Sequence, residues 1–152
     1  MARSSHYIYL DVCALCRPFD DQTQMRIRLE TDAVQLILSH VFAGSLTLVV
    51  SPVHEVEIGA IGDPAEREHL LFILHQSGHH PSNWGMEQVR ERAEHLAQMG
   101  LGPADAAHLA FAEAMNADFI TCDDRLLRQC RRVQPPIWCG SPVAFCDKEG
   151  LQ

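Results

Sequence analysis

Apolar residues follow two rhythms along this chain, and the alternation between them predicts its elements. Short apolar runs bounded by breakers or acids read as buried strands, over residues 7–11, 46–50 and 119–121. Between them lie longer segments whose apolar positions recur three and four apart, the helical period. The first covers 22–43, with Ile27, Val34, Leu38 and Val41 near one face and Gly44 as its stop. A helix over 52–61 has proline near its first position and ends at Gly62-Asp63-Pro64. Residues 64–76 bury Leu70, Leu71, Ile73 and Leu74. Residues 86–99 turn Val89, Ala93, Leu96 and Ala97 inward and Glu87, Arg90, Glu91 and Glu94 outward. The alanine-rich helix 103–116 carries almost no outward charge except Glu113, so it is expected to be buried on more than one side. Residues 77–85 read as a loop or a short edge strand, 124–132 as a helix, and Pro135-Pro136-Ile137-Trp138 as a turn into a last short strand.

Strands alternating with helices build a largely parallel sheet. No repeat, low-complexity segment or linker divides the chain, so residues 1–152 are expected to form a single α/β domain. No apolar stretch approaches the roughly 20 residues that cross a bilayer. The segment Met1-Ala2-Arg3-Ser4-Ser5-His6 leads into a strand without a signal-peptide pattern, so a cytoplasmic protein is expected. Six cysteines then read as free thiols; Cys13 and Cys16 have CxxC spacing but no second CxxC or HxxxH partner.

Four acids stand at the rims of the apolar segments. Asp11 closes the first strand, Glu57 follows the second strand and the pair Ser51-Pro52, Asp105 opens the helix at Pro103, and Asp123 follows Phe119-Ile120-Thr121. In an open α/β sheet the carboxyl ends of the strands are where ligands bind. Carboxylates gathered there repel one another unless a cation joins them, and hard divalent ions prefer oxygen ligands. Three of the four also have a plainer reading. Asp105 at the third helical position is a natural cap, and Asp11 and Asp123 are ordinary turn starters. Asp123 is given the metal-facing role and Asp124 the capping or auxiliary one. Glu55 lies two residues from Glu57 and so on another face of the helix. His108 is read as a core residue or a support for the acids, not a ligand.

A net charge of −8 argues against tight, nonspecific DNA binding. Arg125, Arg128, Arg131 and Arg132 nevertheless fall at helical spacing just after Asp123. They form either a solvated face or a surface that steers phosphate. The loop around Trp84, with His75, His79 and His80 nearby, is read as plain surface or as a contact for RNA or a partner.

The pieces Ile8-Tyr9-Leu10-Asp11, Ser51 to Glu57, Asp105-Ala106-Ala107-His108-Leu109-Ala110 and Thr121-Cys122-Asp123 resemble, in order and spacing, the four acidic motifs of PIN-domain ribonucleases. Within that family the chain is similar to the single-domain VapC-type toxins of prokaryotic toxin–antitoxin pairs. The segment Arg17-Pro18-Phe19-Asp20-Asp21 and the charged helix after it resemble one branch of such stand-alone proteins. The resemblance implies a three-layer α/β/α sandwich with a mainly parallel central sheet. It also implies Mg²⁺- or Mn²⁺-dependent cleavage of RNA, with Asp11, Glu57, Asp105 and Asp123 as catalytic and metal-holding residues. A small antitoxin is the implied partner, and homodimers are common in the family. One departure stands out: Val12 and Cys13 occupy positions where many relatives carry a hydroxyl residue and an asparagine, so Asp11 is expected to have weaker polar support. A PIN fold that binds RNA or a partner with little turnover is the alternative.

Overall fold

Strand residues point alternately to the two faces of a sheet, and here both faces are buried. The structure, a computed structural model, describes residues 6–152; the expectation for Met1 to Ser5 lies outside them. The strands are β1 (Tyr7–Leu10), β2 (Thr47–Val49), β3 (Gly78–His79), β4 (Asp118–Ile120) and β5 (Cys139–Gly140). They form one all-parallel sheet in the order β3-β2-β1-β4-β5. Among the described residues eight α-helices cover it: α1 (Val12–Leu15), α2 (Met25–Phe42), α3 (Pro52–Gly59), α4 (Pro64–Ser77), α5 (Met86–Gln98), α6 (Pro103–Ala114), α7 (Asp124–Val133) and α8 (Pro142–Glu149).

Ile8, Leu10, Leu48 and Ile120 face one core, closed by α1, α2, α4 and α8. Tyr9, Val49 and Phe119 face the other, closed by α5, α6 and α7. The result is the α/β/α sandwich expected. The connection β1 to β2 leaves β1 on one side, and the chain later returns to place β4 on the other. The carboxyl end of β1 therefore faces a crevice where the winding reverses, the usual place for a site in such sheets. At the sheet edge, Gly78 lies where a Cβ would come within 2.4 Å of both the Leu74 carbonyl oxygen and Val50 Cγ2. Only glycine lets β3 press that closely on β2 and α4.

Several elements depart from expectation. Asp11 caps a four-residue helix, α1, and a 3₁₀ turn follows over Arg17–Phe19, where no regular element was expected. A further helix, α8, closes the chain behind the cap Ser141. Ala97 is exposed and Leu71 only half-buried, because α4 and α5 each present a narrower face than their apolar content implies. All six cysteines are free thiols. No helix among the described residues is long and apolar enough to cross a membrane.

Candidate active site

Asp11 follows the central strand, Glu57 lies on the helix after its neighbour β2, and Asp123 follows its other neighbour β4. Parallel pairing puts all three at one edge of the sheet, and Asp105 approaches from the first turn of α6. The sheet hydrogen bond from Asp11 N to Ile120 O, 2.9 Å, ties the end of β1 to that of β4.

Asp11 is 6% exposed, and both of its oxygens are held. Oδ1 accepts from the Val12 backbone N–H at 2.8 Å. Oδ2 accepts from the Thr121 hydroxyl at 2.9 Å and from the Cys13 thiol at 3.3 Å. Thr121 Oγ1 in turn accepts from the Asp123 N–H at 3.1 Å. Weak polar support for Asp11 is therefore not what the fold provides. The backbone serves at Val12, the thiol acts as a weak donor at Cys13, and Thr121 reaches across from β4. Thr121 was missed because a lone threonine ending a strand looks like any β-branched strand residue. Thr121→Val keeps the shape but removes the hydroxyl's bonds to Asp11, Asp123 N and Cys13 Sγ, and is expected to cost about 1–3 kcal/mol in urea unfolding of the metal-free protein. A cost near zero would show that Thr121 does not hold the acid.

Asp105 is the third residue of α6 but does not cap it, since the helix has no side-chain cap. It has no side-chain hydrogen bond among the described residues. Its pKa lies above the usual carboxylate value; burial is the largest cause, followed by the charges of Asp11 and Asp123, with His108 opposing and Glu57 adding a smaller push. An acid crowded by three others, with no donor to relieve it, is a carboxylate left available to a cation.

The cap of α7 falls to Asp123 and not to Asp124. Asp123 is the N-cap of α7, its Oδ1 accepting from Arg125 N at 2.9 Å and Leu126 N at 3.2 Å. That leaves its other oxygen free of the cap. Asp124 instead takes both arms of Arg26 at 2.7 and 2.8 Å, which holds its carboxyl below the usual range. Arg26 also lies 3.4 Å from the buried Glu30, which Arg17 approaches at 3.1 Å, so α2 is clamped beside the N-terminus of α7. Much of the charged pattern after Arg17 serves this clamp. Arg125, Arg128, Arg131 and Arg132 are exposed.

Glu57 is half-buried and accepts a hydrogen bond from His108 Nε2 at 2.5 Å; the same nitrogen lies 3.8 Å from Asp11 Oδ1. His108 is buried, as a support for the acids would be. Glu55 points elsewhere, 3.2 Å from His75 Nε2. Trp84 is not an exposed loop residue: it is half-buried, edge-on to Phe111 with ring centroids 4.7 Å apart.

The four acids face a common edge, but no three of them bring ligand atoms within 4.8 Å of one another. The described cluster whose ligand atoms all lie within 4.8 Å of one another is His6, Asp118 and Glu149, at the opposite end of the strands. There the His6 ring bridges the two acids through different nitrogens, and Lys148 sits 3.2 Å from Asp118, so the negative charge is already met by a cation.

The family model described as PIN domain matches residues 8–132. Among solved structures, the chain is similar to FitAcB from Neisseria gonorrhoeae, with a TM-score of 0.50 and 16% identity, over 89% of this chain and 97% of that one. No curated protein matches it.

Proposed function

Because the chain belongs to the PIN-domain family, whose members are generally nucleases that use divalent metals, we propose that it is a metal-dependent endoribonuclease. The observation that carries this reading is the half-buried Asp105 carboxylate, left without a hydrogen bond and crowded by Asp11, Glu57 and Asp123. The donor set suits Mg²⁺ or Mn²⁺, since all four groups are carboxylates and hard ions take oxygen. Asp11, Glu57, Asp105 and Asp123 would hold the ion.

Bound there, the ion would supply a water of lowered pKa and neutralise charge building on the phosphate. The chain's own residues do the rest. Val12 N, Thr121 and Cys13 fix Asp11, so its geometry is set before anything binds. The cap bonds fix Asp123, and His108 holds one oxygen of Glu57. Arg125, Arg128, Arg131 and Arg132 draw the RNA backbone toward an otherwise acidic protein. As a toxin, the protein would be a homodimer restrained by a small antitoxin, with an arginine from that partner set against the carboxylates.

The experiment is cleavage of a labelled single-stranded RNA pool in EDTA, Mg²⁺ or Mn²⁺, by wild type and Asp11→Asn. Metal-dependent cuts that disappear in the variant are expected. Folded wild type that cuts no RNA with either metal would leave the binding module as the better reading.

A further inference from the structure

Behind the four acids runs a buried chain of hydrogen bonds, of which the proposed chemistry uses only the last link, His108 to Glu57. Ser51 Oγ lies 2.7 Å from Tyr9 Oη, Tyr9 Oη 2.5 Å from His108 Nδ1, and His108 Nε2 2.5 Å from Glu57 Oε1. Tyr9, Ser51, His54 and His108 are all at most 2% exposed. Polar groups at such depth are costly unless bonded, and among the described residues no buried side-chain nitrogen or oxygen lacks a partner.

The proton positions follow from what each group can do. The Ser51 N–H only donates, so His54 Nδ1 accepts from it at 3.1 Å. His54 Nε2–H then donates to the Leu10 carbonyl at 2.7 Å. At the other end, a carboxylate oxygen only accepts, so His108 Nε2 must carry a proton and donate it to Glu57. A phenol keeps its proton at neutral pH, so Tyr9 Oη can donate to His108 Nδ1. His54 and Ser51 thus hold the end of β1, and Tyr9 hands that order on to His108.

We infer that His108 and Tyr9 are positioning residues for Glu57: the phenol fixes the tautomer and angle of the imidazole, and the imidazole holds one oxygen of Glu57 at the acidic edge, leaving the other for an ion. This rests on reading that edge as a divalent-ion site. Glu57 needs such a hold, because it stands on a surface helix with a third of its side chain exposed. Unheld, it would sample many rotamers. Glu55, two residues away, is taken up by His75 and is no substitute. Partners that orient a metal ligand in this way typically affect affinity by about 10- to 100-fold.

The test is Mn²⁺ binding by isothermal titration calorimetry, with circular dichroism as the check on folding, for wild type, Asp11→Asn, His108→Ala, His108→Gln and Tyr9→Phe. Binding about 10- to 100-fold weaker is expected for His108→Ala. His108→Gln, whose amide can still donate, should recover part of the loss. Tyr9→Phe removes only the hydroxyl, and should weaken binding several-fold. In the metal-free protein, long-range ¹H–¹⁵N spectra should show a single His108 tautomer with the proton on Nε2, and a mixture in Tyr9→Phe. If His108→Ala does not fold, Tyr9→Phe and His108→Gln decide. Wild-type affinity in the folded His108 and Tyr9 variants, with Asp11→Asn defective, would leave the ion site standing and overturn the positioning role. Absence of Mn²⁺ binding by wild type would instead remove the ion site, and the positioning role with it.

Discussion

Asp105→Asn is expected to abolish cleavage while making the metal-free protein more stable. The same crowding explains both effects. Burial and the charges of Asp11 and Asp123 raise the pKa of Asp105 in the folded state. The unfolded chain therefore releases this proton at lower pH than the folded one. The sign follows: metal-free stability declines as pH climbs through the folded pKa, and at neutral pH the ionised Asp105 subtracts from it. Asparagine removes that charge at little cost in shape. Because the group is half-exposed and screened, a gain of only about 0.5–1 kcal/mol is expected. That amounts to roughly 1–4 °C for a chain of this size. Loss of a metal-holding carboxylate should lower kcat by more than about a hundredfold, since even the outer partners of a ligand are worth 10- to 100-fold. Melting in EDTA and single-turnover cleavage in Mn²⁺ measure the two effects. A destabilised variant would mean that Asp105 supports α6 structurally after all.

The second large effect is acid lability centred on His54. Burial, helped by the neighbouring His108, lowers its pKa to about 3. In the unfolded chain it protonates near the ordinary value of about 6.5. Its contribution to stability is therefore complete above that pH and is lost as pH falls toward the folded pKa. The slope is about 1.4 kcal/mol per pH unit, so pH 4.5 should cost roughly 2–3 kcal/mol. That is a large share of the 5–15 kcal/mol that typically separates folded from unfolded states. Urea melts at pH 7.5, 6 and 4.5 read this directly. His54→Asn should be less stable at pH 7.5, because the Leu10 carbonyl loses its donor, yet it should show a flatter pH dependence. A parallel slope in the variant would place the acid lability elsewhere.

Much of this could be read before any fold was known. Short apolar runs between periodic helices pointed to the parallel sheet, because burial on both faces leaves continuous apolar runs; the sandwich came from the family resemblance. The acids stood out because each lies at the rim of an apolar segment. What stayed hidden depends on contacts between distant positions. Thr121 reaches Asp11 across 110 residues, and Tyr9 reaches His108 across 99. Nothing local marks either as more than a strand or core residue. The cap of α7 falls to Asp123 and not to Asp124, because both sit where a cap would, and only the place of Arg26 draws Asp124 away. The helix α1 was missed because four residues are too few to show a period. Strands β3 and β5, at two residues each, are too short to alternate and were legible only through the loop and turn around them.

The central claim is that Asp11, Glu57, Asp105 and Asp123 share a divalent ion at the carboxyl end of β1. The most direct test is the shift in melting temperature on adding Mn²⁺ to metal-free wild type and Asp11→Asn. At a hundredfold excess over Kd, the wild type should gain about 2.7 kcal/mol, or roughly 5–11 °C. Asp11→Asn should lose most of that gain. An equal shift in both proteins would place the ion elsewhere and contradict the shared site.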